Sequence, residues 1–166
     1  MSIFIESATK DNAMRLRNLR LAALLDSPAA FGEKHADAIK KPNADWEKSL
    51  QITSWCFAVD TAEDIGLVAV DKAAADRRAD CWISSWWLKP GYRGQGVVNL
   101  MNNWIDEIAN QKQWQRIGLG VWPDNLRAIK AYEKLGFVKE AKLMPSRSIP
   151  DLMYQPMFRM VRGELI

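Results

Sequence analysis

The residues from Trp86 to Ile108 admit very few folds. Trp86-Trp87-Leu88 is a short apolar run, and Lys89-Pro90-Gly91 breaks it. Arg93-Gly94-Gln95-Gly96 follows. After it, Val97, Leu100, Met101, Trp104, Ile105 and Ile108 recur at i, i+3, i+4, i+7, i+8 and i+11, the stripe of an amphipathic helix. The segment therefore reads as strand, glycine-rich turn, helix. A helix start leaves backbone N–H groups without intrahelical partners and carries a partial positive charge. Glycines let an anion sit directly on that backbone, and Arg93 adds a formal charge. A phosphate-bearing ligand is the expectation.

Two nucleotide patterns fail here. A Walker loop needs lysine and Ser/Thr after its last glycine, and Gly96 is followed by Val97 and Val98. The dinucleotide fingerprint needs a third glycine, and the run Gly94-Gln95-Gly96-Val97-Val98-Asn99 ends in asparagine.

Composition limits the rest. The 166 residues are 48% hydrophobic, enough to bury one core, and no Pro/Gly/Ser-rich linker or repeat divides them. We therefore expect one domain over residues 1–166. The 23 basic and 20 acidic residues give a net charge of +3 and are scattered, which argues against a nucleic-acid partner. The N-terminal residues lack the pattern of a signal peptide, and no window has the apolar length of a membrane span. No membrane association and a cytoplasmic location are the expectations. Cys56 and Cys81 have no metal-ligand spacing and fall in predicted strands, so they read as free core thiols. With a lone His35, no metal site is expected.

Along the chain, Ile3-Phe4-Ile5 reads as a strand, and Thr9 is placed to cap a helix from Asp11 to Leu25 with Leu16, Leu19 and Ala23 on one face. Residues 31–45 read as a loop with helical pieces, and Trp46, Ser49 and Leu50 as a further helix. Residues 55–59, 65–70 and 81–88 read as three strands joined by polar turns, an antiparallel meander. Simple alternation puts Trp82 and Trp86 on one side of the third strand and Trp87 on the other. A helix from Gln95 to Gln111, a strand at 117–121, a helix capped by Asp124 or Asn125 and ended by Gly136, and strands at 137–138 and 153–161 complete a mixed α/β order.

A second motif lies about thirty residues beyond the turn. It reads Asn125-Leu126-Arg127-Ala128-Ile129-Lys130-Ala131-Tyr132-Glu133-Lys134-Leu135-Gly136-Phe137. With Arg93-Gly94-Gln95-Gly96-Val97-Val98 it resembles the paired motifs of the GNAT superfamily of acyl-coenzyme A N-acyltransferases. Leu25-Asp26-Ser27-Pro28-Ala29-Ala30-Phe31-Gly32 is also similar to a segment of many bacterial members. The one departure is Val98, where the family usually has glycine or alanine. Its side chain faces either the ligand or the interior, because neighbouring helix residues point about 100° apart.

The resemblance implies a central, mostly antiparallel sheet of six to seven strands with helices on both faces. It implies transfer of the acetyl group of acetyl-coenzyme A, as cosubstrate, to a primary amine by direct attack through a tetrahedral intermediate. Arg93 and the backbone from Gly94 to Val98 would hold the pyrophosphate. Leu88, on a strand that splays from its neighbour, would bind the pantetheine arm and offer its N–H to the oxyanion. Tyr132 would be the general acid toward the departing thiolate. Asn125 either binds the pantetheine arm or caps its helix.

No residue stands out as general base. Glu33, Asp37 and Asp80 are candidates, Ser84 and Ser85 are placed mid-strand to hold a water, and a water chain serves equally well. Trp46 and Trp122 are placed to offer aromatic faces to a cationic acceptor. Glu33, Trp46, Ser84 and Trp122 are thus the expected acceptor-side residues. The acceptor is a small-molecule amine on this reading; a protein N-terminus or lysine, or a sensor that binds coenzyme A without turnover, are the alternatives. Monomer and homodimer are both open, since the late strands are able to pair between subunits.

Overall fold

The computed structural model describes residues 2–163. Its elements are β1 (Ile3–Ser7), α1 (Ala13–Asp26), α2 (His35–Ala38), α3 (Asn43–Ile52), β2 (Ser54–Asp60), β3 (Glu63–Lys72), β4 (Cys81–Leu88), α4 (Val97–Gln111), β5 (Arg116–Val121), α5 (Leu126–Lys134), β6 (Val138–Lys139), β7 (Met144–Pro145) and β8 (Met153–Met160). The strands form one sheet in the order β1-β2-β3-β4-β5-β8-β6, with the two-residue β7 beside β8. Every pairing is antiparallel except β4 with β5. The expected mixed α/β sheet is present; β7 is the strand that its two-residue length hid from pattern reading.

Alternation along β2 explains why helices cover both faces. Cys56 and Ala58 point to one side and join Met101, Ile105 and Ala109 of α4 and Ile129 of α5. Trp55, Phe57 and Val59 point to the other and join Leu16, Leu19 and Ala23 of α1 and Trp46 of α3. A strand buried on both faces reads as an unbroken apolar run, as Trp55-Cys56-Phe57-Ala58-Val59 does. Both cysteines are free and buried. Burial raises both thiols, that of Cys81 to about 12.

Two local expectations are corrected. Thr9 does not cap α1. Its backbone N–H and its hydroxyl donate to Asn12 Oδ1 at 2.7 and 3.1 Å, and the helix begins at Ala13. The acceptor oxygen is thus spent before the helix starts, a local competition open to any short Asx or Thr side chain.

The second correction concerns β4. Leu67 pairs with Trp87 but Ala69 with Ser84, so Ser85 and Trp86 together oppose Val68. Ser85 takes the left-handed conformation at φ 58°. This bulge reverses the alternation. Trp86 now packs with Leu88 on the α4/α5 side, while Trp87 lies in the α1/α3 core. Trp82, before the bulge, packs edge-on against Tyr154 and Phe158, and so faces the opposite way from Trp86.

Candidate active site

The turn before α4 is built for an exposed backbone. Gly94 and Gly96 sit at φ 77° and 82°, a region that costs a side-chain-bearing residue about 1–2 kcal/mol. A Cβ added at either would meet nothing within 4 Å, so the space above the turn is open. Gly96 occupies the N-cap of α4, and the Asn99 N–H donates to its carbonyl at 3.1 Å. Among the described residues, no backbone carbonyl in the turn accepts from the N–H groups of Gly94 to Val98. That is the donor set an anion requires. Val98 is half-buried and packs against the α4/α5 core.

Arg93 is placed differently from its expected role. Its Nε donates to the Leu88 carbonyl at 2.9 Å and its Nη2 to Asp26 Oδ2 at 2.9 Å. The Trp87 indole N–H donates to the same Asp26 oxygen at 2.9 Å. Trp87 first, then Ser27 and Arg93, hold the Asp26 carboxyl below its usual range. The arginine therefore fastens the end of β4 to the end of α1, and the charge it was expected to bring to the turn is largely spent there.

β4 and β5 pair in parallel only from Cys81↔Ile117 to Ile83↔Leu119; beyond that the strands part. On the other edge of β4, the Lys89 N–H donates to the Ile65 carbonyl at 2.8 Å. Gly66 and Leu88 are consequently a non-hydrogen-bonded pair, and the N–H and C=O of Leu88 turn away from β3 toward the side β5 has vacated.

Tyr132, on α5, packs against Trp86 of β4 on the α4/α5 side of the sheet. Its ring centroid is 5.7 Å from that of Trp86 and 6.1 Å from that of Phe137. Burial pushes its phenol up to about 12. The residues around it explain the motif's spacing. Gly136, at φ 98°, ends α5, with Gly136 N–H donating to Glu133 O and Phe137 N–H to Tyr132 O at 3.0 and 3.1 Å. This is a Schellman closure, and the Tyr132–Phe137 ring contact is its apolar component. Asn125 caps the same helix, its Oδ1 accepting from Ala128 N–H at 3.2 Å.

On the opposite face of the sheet, a cavity of about 240 Å³ is lined by Arg20, Glu33, Lys41, Asp45, Trp46 and Ser85, among others. Glu33 accepts from Arg20 Nε at 3.4 Å and also pairs with Lys41. Trp55 Nε1 donates to Ser49 Oγ at 3.0 Å along the wall. Of the acceptor-side expectations, the structure brings Glu33 and Trp46 together here. Ser84 is exposed and outside the cavity, because the bulge delivers Ser85 instead. Trp122 is not among the lining residues; its carbonyl accepts from Asn125 N–H ahead of α5. Asp37 is exposed on α2. Asp80 accepts the Arg116 and Gln115 N–H groups, which lower its pKa and give it a structural task at the start of β5. Arg20 is the residue that pattern reading missed. Its position between Leu16 and Ala23 on the buried stripe of α1 was the available signal.

A parted strand pair beside a donor-lined helix start leaves backbone groups open to an extended, phosphate-bearing ligand. The sequence model of the Acetyltransferase (GNAT) family matches residues 18–137, and the chain belongs to that family. Acetyl-coenzyme A is the cosubstrate of this class of N-acetyltransferase. No curated protein matches the sequence. Solved structures share the fold. A GNAT-family acetyltransferase from Streptococcus pneumoniae is 19% identical with a TM-score of 0.76, over 97% of this chain and 100% of that one. yncA from Salmonella typhimurium, with its cofactor acetyl-CoA, is 16% identical with a TM-score of 0.73, over 100% and 98%. A spermidine N-acetyltransferase from Vibrio cholerae, in complex with CoA and spermine, is 17% identical with a TM-score of 0.70, over 96% and 95%. Among the described residues, no helix is long and apolar enough to cross a membrane, and no group of three or more potential ligands could hold a metal ion.

Proposed function

We propose that this chain acetylates the primary amine of a small molecule by direct attack on the thioester of acetyl-coenzyme A. The observation that carries the reading is the gap beside β4. It leaves the Leu88 N–H turned toward the vacated edge, with the glycine turn following β4 and Tyr132 packed on Trp86 of the same strand. The turn N–H groups from Gly94 to Val98 hold the pyrophosphate, and Arg93 serves that site by fixing the strand end. The Leu88 N–H donates to the oxygen that becomes an oxyanion, a contribution typically of about 3–4 kcal/mol. An unbound amine is mostly protonated, so the site must also release a proton; waters at the cavity mouth are the outlet, since Glu33 is already paired with two cations.

Tyr132 keeps its proton more firmly than a thiol, whose ordinary pKa is about 8.5. It therefore acts first as a hydrogen-bond donor to the sulfur as charge develops, and the proton follows late. Asn125 caps α5 and so sets the height of Tyr132 above the gap. Two further points support an enzyme acting on a small acceptor. Val98, the residue that admitted a sensor, leans on the core. The acceptor cavity of about 240 Å³ lies below the roughly 300–1,000 Å³ of drug-sized pockets, which suits an acceptor of few atoms.

Incubating the protein with acetyl-coenzyme A and a panel of primary amines, and following free thiol together with the mass of the product, tests the proposal. Turnover with at least one small amine is expected. Coenzyme A binding without turnover across a broad panel would favour the sensor, and exclusive turnover of peptides would favour a protein acceptor.

A further inference from the structure

Two residues that line the cavity each carry a buried donor without a partner among the described residues. Arg20 is 7% exposed and its Nη1 has no hydrogen-bond partner; Trp46 is 4% exposed and its Nε1 has none either. Both residues line the same cavity. An unmet buried donor costs roughly 1–3 kcal/mol, and more when charged. Burial also lowers the pKa of the Arg20 guanidinium, with Glu33 acting against it. Glu33 is shared with Lys41 and reaches Arg20 at only 3.4 Å, so it satisfies the arginine on one nitrogen and poorly. Nη1 is left without an oxygen from the described residues.

The charge of the lining narrows the ligand further. Arg20 and Lys41 are balanced by Glu33 and Asp45. A polyamine or a polyanion would upset that balance, whereas a zwitterion adds no net charge. The aromatic face of Trp46 is already occupied by Lys41, whose Nζ lies 5.2 Å from the ring centroid. The expected cation site on that ring is therefore filled from within, and Trp46 is left with its N–H to offer. Asp45 makes no ion pair among the described residues and counts only toward the charge balance of the lining.

We infer that the acceptor is an amino carboxylate, its carboxylate received by Arg20 Nη1 and Trp46 Nε1 and its amine directed toward Ser85 and the gap beside β4. The inference rests on the acetyltransferase reading, and deepens it by naming the substrate class. Ser85 supports the direction. It is a non-glycine residue held at φ 58° that places its side chain on the cavity wall, three residues before Leu88 on the same strand.

The test uses matched ligands: α- to ω-amino acids, each with its amide and its decarboxylated amine. Thiol release from acetyl-coenzyme A should favour the best amino acid over its own amide by about tenfold to a hundredfold in kcat/KM, the range of a charged hydrogen bond. In Arg20→Met that ratio should collapse toward one, mainly through KM. A second readout needs no turnover. The Trp46 indole N–H signal in a 15N-edited NMR spectrum, assigned by loss in Trp46→Phe, should move on titration with the amino acid and stay still with the amide. An indole signal indifferent to every amino acid, or moved equally by the amides, would overturn the inference. So would a wild-type preference for amides or decarboxylated amines. Failure to bind coenzyme A would instead remove the acetyltransferase reading while the indole titration still judges the carboxylate.

Discussion

The two faces of the sheet build their sites from different materials. On the cofactor side we propose, the groups left open are backbone N–H groups, set by two left-handed glycines and by the parting of β4 from β5. On the α1/α3 face the cavity is made of side chains, drawn from α1, the segment before α3, α3 itself, β2 and β4. A backbone site serves a ligand common to many proteins, because it asks only for local geometry. A side-chain site serves one acceptor and changes by substitution without moving the chain.

The largest break in this comparison comes from Tyr132→Phe. The ring contacts with Trp86 and Phe137 survive and only the hydroxyl goes. We expect kcat to fall by about 10²–10⁴, the usual range for general acid contributions, with far less change in coenzyme A affinity. Steady-state kinetics and calorimetry on the same preparation read both. A kcat that barely moves would mean that the cofactor face only holds its ligand.

Gly96→Ala follows in size. The φ of 82° penalises the new Cβ by about 1–2 kcal/mol, and with nothing packed around that position the turn relaxes. Coenzyme A affinity should drop by about tenfold, the equivalent in binding of that strain. The Trp46 indole signal on the other face should not respond. Undiminished affinity would show that the anion rests elsewhere.

The difference between the faces also decides what could be read in advance. Gly94, Gly96 and Gly136 announce themselves because left-handed backbone needs glycine, and Asn125 because a cap needs a short acceptor. The strand–turn–helix and the Tyr132 helix were legible for that reason. Ser85 was not, since nothing in Ile83-Ser84-Ser85-Trp86 marks which residue will bulge; pairing with Leu67 and Ala69 across the sheet decides it. That single register shift turned Trp86 toward Tyr132 and replaced Ser84 by Ser85 in the cavity. The tie between Arg93 and Asp26 was not legible, because the two lie 67 positions apart in sequence. Contacts of that range belong to the assembled fold, not to any local pattern.

Ser85→Gly sharpens the account of the bulge. It relieves the left-handed strain at the cost of glycine's extra chain entropy, a net gain of less than about 1 kcal/mol. The melting temperature should rise by up to about 4 °C, the shift such an energy gives in a domain of this size. A fall would mean that the serine hydroxyl holds the cavity wall in place.

The smallest effect expected is an absence, and it is informative. Burial holds the Tyr132 phenol near 12, so it stays protonated well above the working range. The protonated form is the donor, and raising its pKa extends the donor to higher pH. The rate should therefore climb with pH as the amine loses its proton, with no descending limb below about pH 10, the ordinary phenol value. Above that value the sign reverses for stability. A phenol whose folded pKa is raised favours the folded chain only while it is protonated in both states, so that contribution is lost as pH rises from the ordinary value toward about 12. The profile is thus best measured below pH 10, against circular dichroism on the same samples. A descending limb within that window, present in the wild type and missing in Tyr132→Phe, would place an easily ionised phenol in the gap. The cofactor face would then share with the acceptor face a dependence on side-chain charge.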